Sequence, residues 1–254
     1  MIDLIKGDCL EEMKNIADNS IDAIICDLPY GTTACKWDSV IPFEPLWEQY
    51  KRIIKYNGAI VLFGSQPFTT ALISSNYEMF KYEWVWEKTR ASNMFFRKTQ
   101  PLKYHENILV FSKASAHNMA KIKINYNPIM QERDKKNIRK QKTYKTKGNT
   151  IFGNNREFIN YKENDRRSSN NIYPKSIIKV SSMSNFKSKR VHPTQKPLEL
   201  LEYLVKTYSL ENDTILDNTM GSGTTMVACK NLNRNGIGIE MDENYFNITQ
   251  QRLA

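Results

Sequence analysis

A chain of 254 residues, 40% hydrophobic and 25% charged, has the make-up of a globular protein with one large core, or one core carrying an insertion, and not of a disordered or fibrous chain. No apolar run reaches the roughly 18–20 residues that cross a bilayer, and the first residues carry no signal-peptide pattern, so no membrane partner is expected. The net charge of +10 is uneven: residues 113–190 hold 20 Lys/Arg against 5 Asp/Glu, and the rest of the chain holds 17 against 22, which points to a polyanion bound by one basic block on a mildly acidic body.

Residues 1–6 read as a short strand, and Gly7-Asp8-Cys9 as the turn after it. Over 10–16, Leu10 and Met13 share a helical face. Residues 21–26 are an apolar strand with Asp27 at its carboxyl end. Leu46, Trp47, Tyr50, Ile53 and Ile54 recur at helical spacing, which predicts a helix over 45–56 that Asn57-Gly58 should stop. Residues 59–63 are a continuous apolar run, as in a strand covered on both faces. A helix over 67–75 and strands over 81–86 and 107–111 follow. From 114 to 190 the rhythm is lost, with much Asn, Lys and Ser and few apolar residues. A structureless loop of that length is improbable inside a compact domain, so the stretch is expected to be an insertion with its own role, or partly disordered. The rhythm resumes at His192: a helix over 198–208, a strand over 214–216, a helix over 224–232, a strand over 236–239 and a last helix over 243–253.

Alternating strands and helices predict an α/β fold, a mostly parallel sheet with helices on both faces. Ligands of such sheets bind outside the carboxyl ends of the strands. Asp8, Asp27, Gly64, Asp217 and Glu240 all fall at such ends, which already outlines a site. Cys9, Cys26, Cys35 and Cys229 are scattered without CxxC spacing, so neither a disulfide framework nor a zinc site is expected, and a reducing cytoplasm is.

Asp217-Asn218-Thr219-Met220-Gly221-Ser222-Gly223-Thr224-Thr225 lies where a strand turns into a helix. Glycines there permit a tight turn and close approach of backbone to ligand. Glu240 ends the next strand, 19 residues after Gly221, the spacing at which an acidic residue commonly holds ribose hydroxyls. Neither Gly-Lys-Ser/Thr nor GxGxxG is present, so phosphates and dinucleotides are disfavoured. An adenosine cofactor without phosphates fits, S-adenosylmethionine foremost. Asp27-Leu28-Pro29-Tyr30, near the start, combines a carboxylate, a backbone acceptor and a flat ring on a turn stiffened by proline. Acceptors fixed on the hydrogens of an exocyclic amine favour its nucleophilic, tetrahedral form. As an isolated tetrapeptide it would read as a strand-end turn with Tyr30 packed.

The order of these motifs, tetrapeptide first and glycine turn last, resembles the permuted, beta-class amino-methyltransferases of DNA. The resemblance covers most of the chain outside 114–190 and includes His192-Pro193-Thr194-Gln195-Lys196-Pro197 just before the 198–208 helix. It implies a Rossmann-like S-adenosylmethionine-dependent methyltransferase sheet in circularly permuted motif order with a basic inserted region. Residues 1–113 would be the catalytic half, 114–190 the target-recognition region and 191–254 the cofactor-binding half. Catalysis would fall to Asp27, Leu28, Pro29 and Tyr30. The cofactor would be held by Asp8, Cys9, Asp27, Thr194, Lys196, Asp217, Thr219, Gly221, Ser222, Gly223, Thr224, Glu240 and Met241, with no metal. The family more often has Pro at the Leu28 position and Pro-Phe at Asn218-Thr219.

The resemblance further implies transfer to adenine N6 in double-stranded DNA, because Asp at the first tetrapeptide position goes mostly with adenine and Ser with cytosine N4. Cytosine N4 stays as the alternative, as does a DNA-binding module on a degenerate methyltransferase body. Methylation of cytosine C5 needs a Pro-Cys nucleophile, and none of the nine prolines is followed by Cys. Lys135, Lys136, Arg139, Lys140, Lys142, Lys145 and Lys147 are the expected phosphate contacts of the basic block. Residues 90–103 mix Arg97, Lys98 and Lys103 with Phe95 and Phe96 and read equally well as a DNA contact or an ordinary surface loop. Relatives of this kind are often dimers and often belong to restriction–modification systems, so a homodimer and a cognate restriction endonuclease are the further partners it suggests.

Overall fold

The computed structural model describes residues 1–31, 38–132, 171–181 and 195–254. The chain divides into two compact units, one of Met1–Asn127 with Lys175–Ala254 and one of Pro128–Pro174. The expected insertion 114–190 is therefore shared: its first and last stretches belong to the first unit. Ala114 and Ile124 are buried there.

In the first unit the chain runs β1 (Ile2–Lys6), α1 (Cys9–Glu12), β2 (Ile21–Cys26), α2 (Phe43–Ile53), β3 (Ile54–Gly64), α3 (Phe68–Ser75), β4 (Phe80–Glu87) and β5 (His105–Phe111). In the second unit, β6 (Gln131–Glu132) pairs antiparallel with β7 (Asn171–Ile172). The first unit then continues with β8 (Ile177–Lys179), α4 (Leu198–Tyr208), β9 (Thr214–Asp217), α5 (Thr224–Asn231), β10 (Asn235–Glu240) and α6 (Glu243–Leu253). No helix among the described residues is long and apolar enough to cross a membrane.

Among the described residues one eight-stranded sheet forms in the order β1-β10-β9-β2-β3-β5-β4-β8. Only β5 runs against its neighbours, so the expected mostly parallel sheet is what is found. Side chains alternate between two cores. Ala23, Ile25, Val61 and Val110 point to the face covered by α4 and α5 with Leu204, Tyr208 and Met226. Ile24, Cys26, Ile60 and Leu62 point to the face covered by α2 and α3 with Leu46, Tyr50 and Leu72. All six residues of β2 are buried, and each fully buried aliphatic side chain stabilises the fold by roughly 1.5–3 kcal/mol relative to exposure.

The expected helix over 45–56 is displaced. It spans Phe43–Ile53, and Ile54 is already strand, paired with Ile21. Asn57-Gly58, read as a helix stop, lies inside β3 at a register shift between the Ile21–Ile54 and Ala23–Ala59 pairs. The glycine is needed there for space and not to end a helix. A Cβ on Gly58 would stand 2.7 Å from the Ile54 side chain and 2.8 Å from the Asp22 carbonyl oxygen. Its own carbonyl accepts the Ser112 hydroxyl at 2.8 Å.

Candidate active site

The sheet order places the chemistry-bearing strand ends side by side. β1 pairs with β10 (Lys6 opposite Glu240), β10 with β9 (Gly238 opposite Asp217) and β9 with β2 (Leu216 opposite Ile24). Asp8, Glu240, Asp217 and Asp27 therefore follow one another along one rim, although the first and last of these strands by position are neighbours early in the chain.

The glycine turn between β9 and α5 is held from three sides. Met220 N–H donates to Ile239 O at 3.0 Å. Glu240 accepts Gly221 N–H on Oε2 at 2.9 Å and Asp242 N–H on Oε1 at 2.8 Å. Burial pushes the Glu240 carboxyl upward, partly offset by those backbone donors. From α6, Thr249 Oγ1 donates to Gly221 O at 2.9 Å, and Arg252 reaches Ser222 O and Thr224 Oγ1. Gly221 and Gly223 adopt φ of +52° and +73°, the left-handed region that glycine enters without penalty. A Cβ on Gly223 would collide with Thr249 Cγ2 at 2.3 Å, whereas one on Gly221 would meet nothing within 4 Å. The turn is thus clamped on its α6 side and open at Gly221. Asp217 beneath it is 4% exposed, and burial pushes its carboxyl up to about 7 against hydrogen bonds from Thr225 and the Thr219 N–H.

The tetrapeptide follows β2. The Asp27 carboxylate takes the Tyr30 hydroxyl on Oδ1 at 2.7 Å and the Lys196 ammonium on Oδ2 at 2.5 Å. Tyr30 stacks on Phe68 with ring centroids 5.0 Å apart, so one of its faces is already covered. Lys196 Nζ lies 5.0 Å from the Phe63 ring centroid and 5.8 Å from that of Tyr30. It also lies 3.4 Å from Glu106 Oε2, and Lys88 pairs with the other oxygen of Glu106. Burial pulls the Lys196 ammonium down, but Asp27 and Glu106 hold it above its ordinary range.

The two motifs touch. Thr219 Oγ1 donates to the Asp27 carbonyl oxygen at 3.1 Å and lies 2.9 Å from Cys26 Sγ. Burial raises the Cys26 pKa far above its ordinary value, so the thiol keeps its proton. Asn218 Oδ1 accepts the buried Tyr50 hydroxyl at 2.6 Å. Asn218-Thr219, the departure from the family pattern, is therefore a polar seam between the halves of the site.

Most of the residues expected at the site meet at this rim. Lys196 stands at Asp27 and not at the glycine turn. Asp8 caps α1, accepting Leu10 N–H at 2.9 Å and Glu11 N–H at 3.3 Å, and Cys9 is the first residue of that helix. Ser222 and Thr224 are buried with their hydroxyls on Arg252. Leu28 is buried in the core, and Met241 is 65% exposed. Thr194 and all seven expected phosphate contacts, Lys135 to Lys147, lie outside the described residues. The reading of the sequence missed Glu106, Lys88 and Arg252. An acid near the start of β5, diagonal across an antiparallel pair from a Lys just past β4, was the available signal for the first two.

The comparisons with known proteins agree with this geometry. The model of the N6/N4 DNA methylase family matches residues 21–251. Type II methyltransferase M.HpaI of Haemophilus parainfluenzae is 28% identical over 98% of this chain and 73% of its own length. Type II methyltransferase M.HindIII of Haemophilus influenzae is 27% identical over 100% of this chain and 96% of its own. The crystal structure of the M1.HpyAVI–SAM complex superposes with a TM-score of 0.62 at 26% identity, covering 100% of this chain and 99% of that one. PvuII DNA methyltransferase, described as cytosine-N4-specific, shares the fold at 14% identity with a TM-score of 0.66, covering 100% and 86%. Glycine turn, tetrapeptide and sheet order thus converge with the family match, and the chain belongs to the N6/N4 DNA methylase family, whose methyl donor is S-adenosylmethionine.

Proposed function

We propose that this chain methylates the exocyclic N6 of adenine at a specific sequence of double-stranded DNA, on a base turned out of the helix. The observation that carries the reading is the Thr219–Asp27 hydrogen bond, which joins a carboxylate turn to a glycine turn 192 residues away in sequence. S-adenosylmethionine, when bound, supplies a sulfonium methyl that an amine takes by direct attack, with no covalent enzyme intermediate. The residues present suit it. The open side of Gly221 gives backbone access, Glu240 keeps lone pairs for ribose hydroxyls, and Asp8, Cys9 and Asp217 border the same rim. Asp27 and the Leu28 carbonyl accept the amino hydrogens of the base, and Pro29 fixes both before the base arrives. Lys196 and the Tyr30 hydroxyl orient the Asp27 carboxylate, each oxygen of which retains acceptor capacity. Turning out a base costs a few kcal/mol, and an aromatic face returns about 1–3 kcal/mol. Tyr30, backed by Phe68, offers that face. Asp at the head of the tetrapeptide supports adenine over cytosine.

The basic block, with Lys135, Lys136, Arg139, Lys140, Lys142, Lys145 and Lys147, is proposed to hold the phosphates. Its relatives are type II methyltransferases, which supports a cytoplasmic restriction–modification setting with a cognate endonuclease. The test is expression in a methylation-free host, with nucleoside mass spectrometry and modification-sensitive sequencing of the DNA. N6-methyladenine at one sequence is expected, and it should vanish with Asp27→Ala. N4-methylcytosine would refute the base assignment. Activity of Asp27→Ala within about tenfold of wild type, a change of ~1.4 kcal/mol in the barrier, would refute the role of the carboxylate.

A further inference from the structure

Between β4 and β5 the chain makes a loop whose neck is closed by backbone hydrogen bonds from Lys88 N–H to Tyr104 O at 2.7 Å and from Ser92 N–H to Lys103 O at 3.0 Å. Inside it, Asn93 Nδ2 donates to Pro101 O at 2.9 Å and Asn93 Oδ1 accepts Lys103 N–H at 2.6 Å. One 3-10 turn, Met94–Phe96, forms the tip, and Thr99 and Gln100 N–H both return to Phe96 O. This frame holds Phe95 98% exposed, with Phe96 at 56% and Met94 at 49%. A lone exposed apolar residue needs no explanation. Three in a row on a hydrogen-bonded tip form an apolar patch of the kind that marks an interaction site.

Charge identifies the occupant. Residues 88–103 contain Lys88, Arg90, Arg97, Lys98 and Lys103 and no acid, on a body that outside 113–190 has more acidic than basic residues. Duplex DNA offers what such a tip fits, anionic rails around an apolar stack. Position agrees. β4 runs parallel to β2 and β3, so its carboxyl end opens on the rim that carries Asp27. Lys103 Nζ donates to Ser65 Oγ just past β3, and Lys88 pairs with Glu106, which in turn holds Lys196 at Asp27.

We infer that this loop is a DNA wedge: Phe95 enters the base stack beside the extruded target base, while Arg90, Arg97 and Lys98 meet the flanking phosphates. The inference rests on the proposed function. It is tested with the full chain on a duplex whose methylated base has been mapped. Phe95→Ala is expected to lower kcat/KM by about 10- to 100-fold, the worth of one base–aromatic stack, and Phe95→Trp to stay within about threefold of wild type. With an abasic position opposite the target, extrusion is cheap, and the alanine variant should recover to within about threefold. Melting temperature and S-adenosylhomocysteine affinity should not move, since Phe95 is almost wholly exposed.

An alanine variant equal to wild type on the paired duplex overturns the wedge. An equal loss on both duplexes also overturns it, because the loop would then serve affinity alone. A wild-type chain that transfers no methyl to any DNA overturns the proposed function itself. Fluorescence anisotropy then judges the wedge separately: Phe95→Ala must still weaken duplex binding, and unchanged affinity overturns it.

Discussion

Replacing Lys196 by Met keeps the unbranched apolar stem of the side chain and removes the ammonium, its charge and its donors together. The ammonium lies between Asp27 Oδ2 at 2.5 Å and Glu106 Oε2 at 3.4 Å, with 9% of its side chain exposed and 15% of that of Glu106. Burial pushes the Glu106 carboxyl up, yet Lys196 and Lys88 outweigh that and hold it below the usual carboxylate range. Removing one partner of a buried ion pair costs about 3–5 kcal/mol, and because Lys88 still serves Glu106 the low end, about 3 kcal/mol, is expected at pH 8. At ~2–4 °C per kcal/mol for a chain of this size, the Tm falls by about 6–12 °C. The effect has a definite pH dependence. In the wild type, the Glu106 contribution is present above its unfolded pKa and lost as pH falls through its lower folded value. In the variant, burial is no longer opposed by Lys196, and the carboxyl takes up its proton at higher pH. The deficit should therefore be full at pH 8 and shrink towards pH 5. Lys196, whose folded pKa is raised, contributes fully across this range and adds no slope of its own. Denaturant midpoints at pH 8, 6.5 and 5 read the difference directly. A deficit below about 1 kcal/mol, or one that does not change with pH, would refute the buried chain Lys88–Glu106–Lys196–Asp27 as the source of stability.

Three further outcomes are expected. Glu240→Ala should weaken S-adenosylhomocysteine binding by about 10- to 150-fold in calorimetric titration, the worth of a hydrogen bond to a charged acceptor, and unchanged affinity would put the ribose elsewhere. Asp217→Asn should flatten the pH dependence of stability between about pH 4 and 7. The buried carboxyl with a pKa of about 7 keeps a proton that the unfolded chain releases, so the wild type loses stability as pH rises, and an equal slope in the variant would refute the assignment. Neutralising the Lys and Arg of 135–147 should flatten log affinity against log salt on duplex DNA by roughly 3–4 units if four phosphates are contacted, with cofactor affinity unchanged, and a wild-type slope would return the block to plain surface.

Local signals were readable and distant ones were not. β2, α4 and α6 fall where apolar spacing put them, because each is bounded by residues that end it on their own. Asp27, Gly64, Asp217 and Glu240 could be placed at strand ends from alternation alone. The α2–β3 junction could not: Asn57-Gly58 has the composition of a helix stop, and only pairing with β2 and the approach of Asp22 and Ser112 make it strand. Glu106 was invisible for a similar reason. Its partner Lys196 lies ninety residues away, and between His105 and Asn107 it reads as the polar start of an ordinary strand. Asn218-Thr219 departs from the Pro-Phe more common in the family, yet Tyr50 and Cys26 supply polar partners for both residues.

The strand order also constrains how the molecule is made. β1 and β2 emerge within the first 26 residues, yet two strands later lie between them, at about 4.8 Å per step. Until β9 and β10 arrive, the facing edges of β1 and β2 stay unpaired, and such edges invite pairing with other chains. During synthesis the tetrapeptide is thus present long before the seam that completes it. A ribosome-held chain lacking residues 214–240 should bind neither cofactor nor partner base, and should be more prone to aggregate than a chain that includes them. The halves of the site are therefore joined only once β9 and β10 have entered the sheet between β1 and β2.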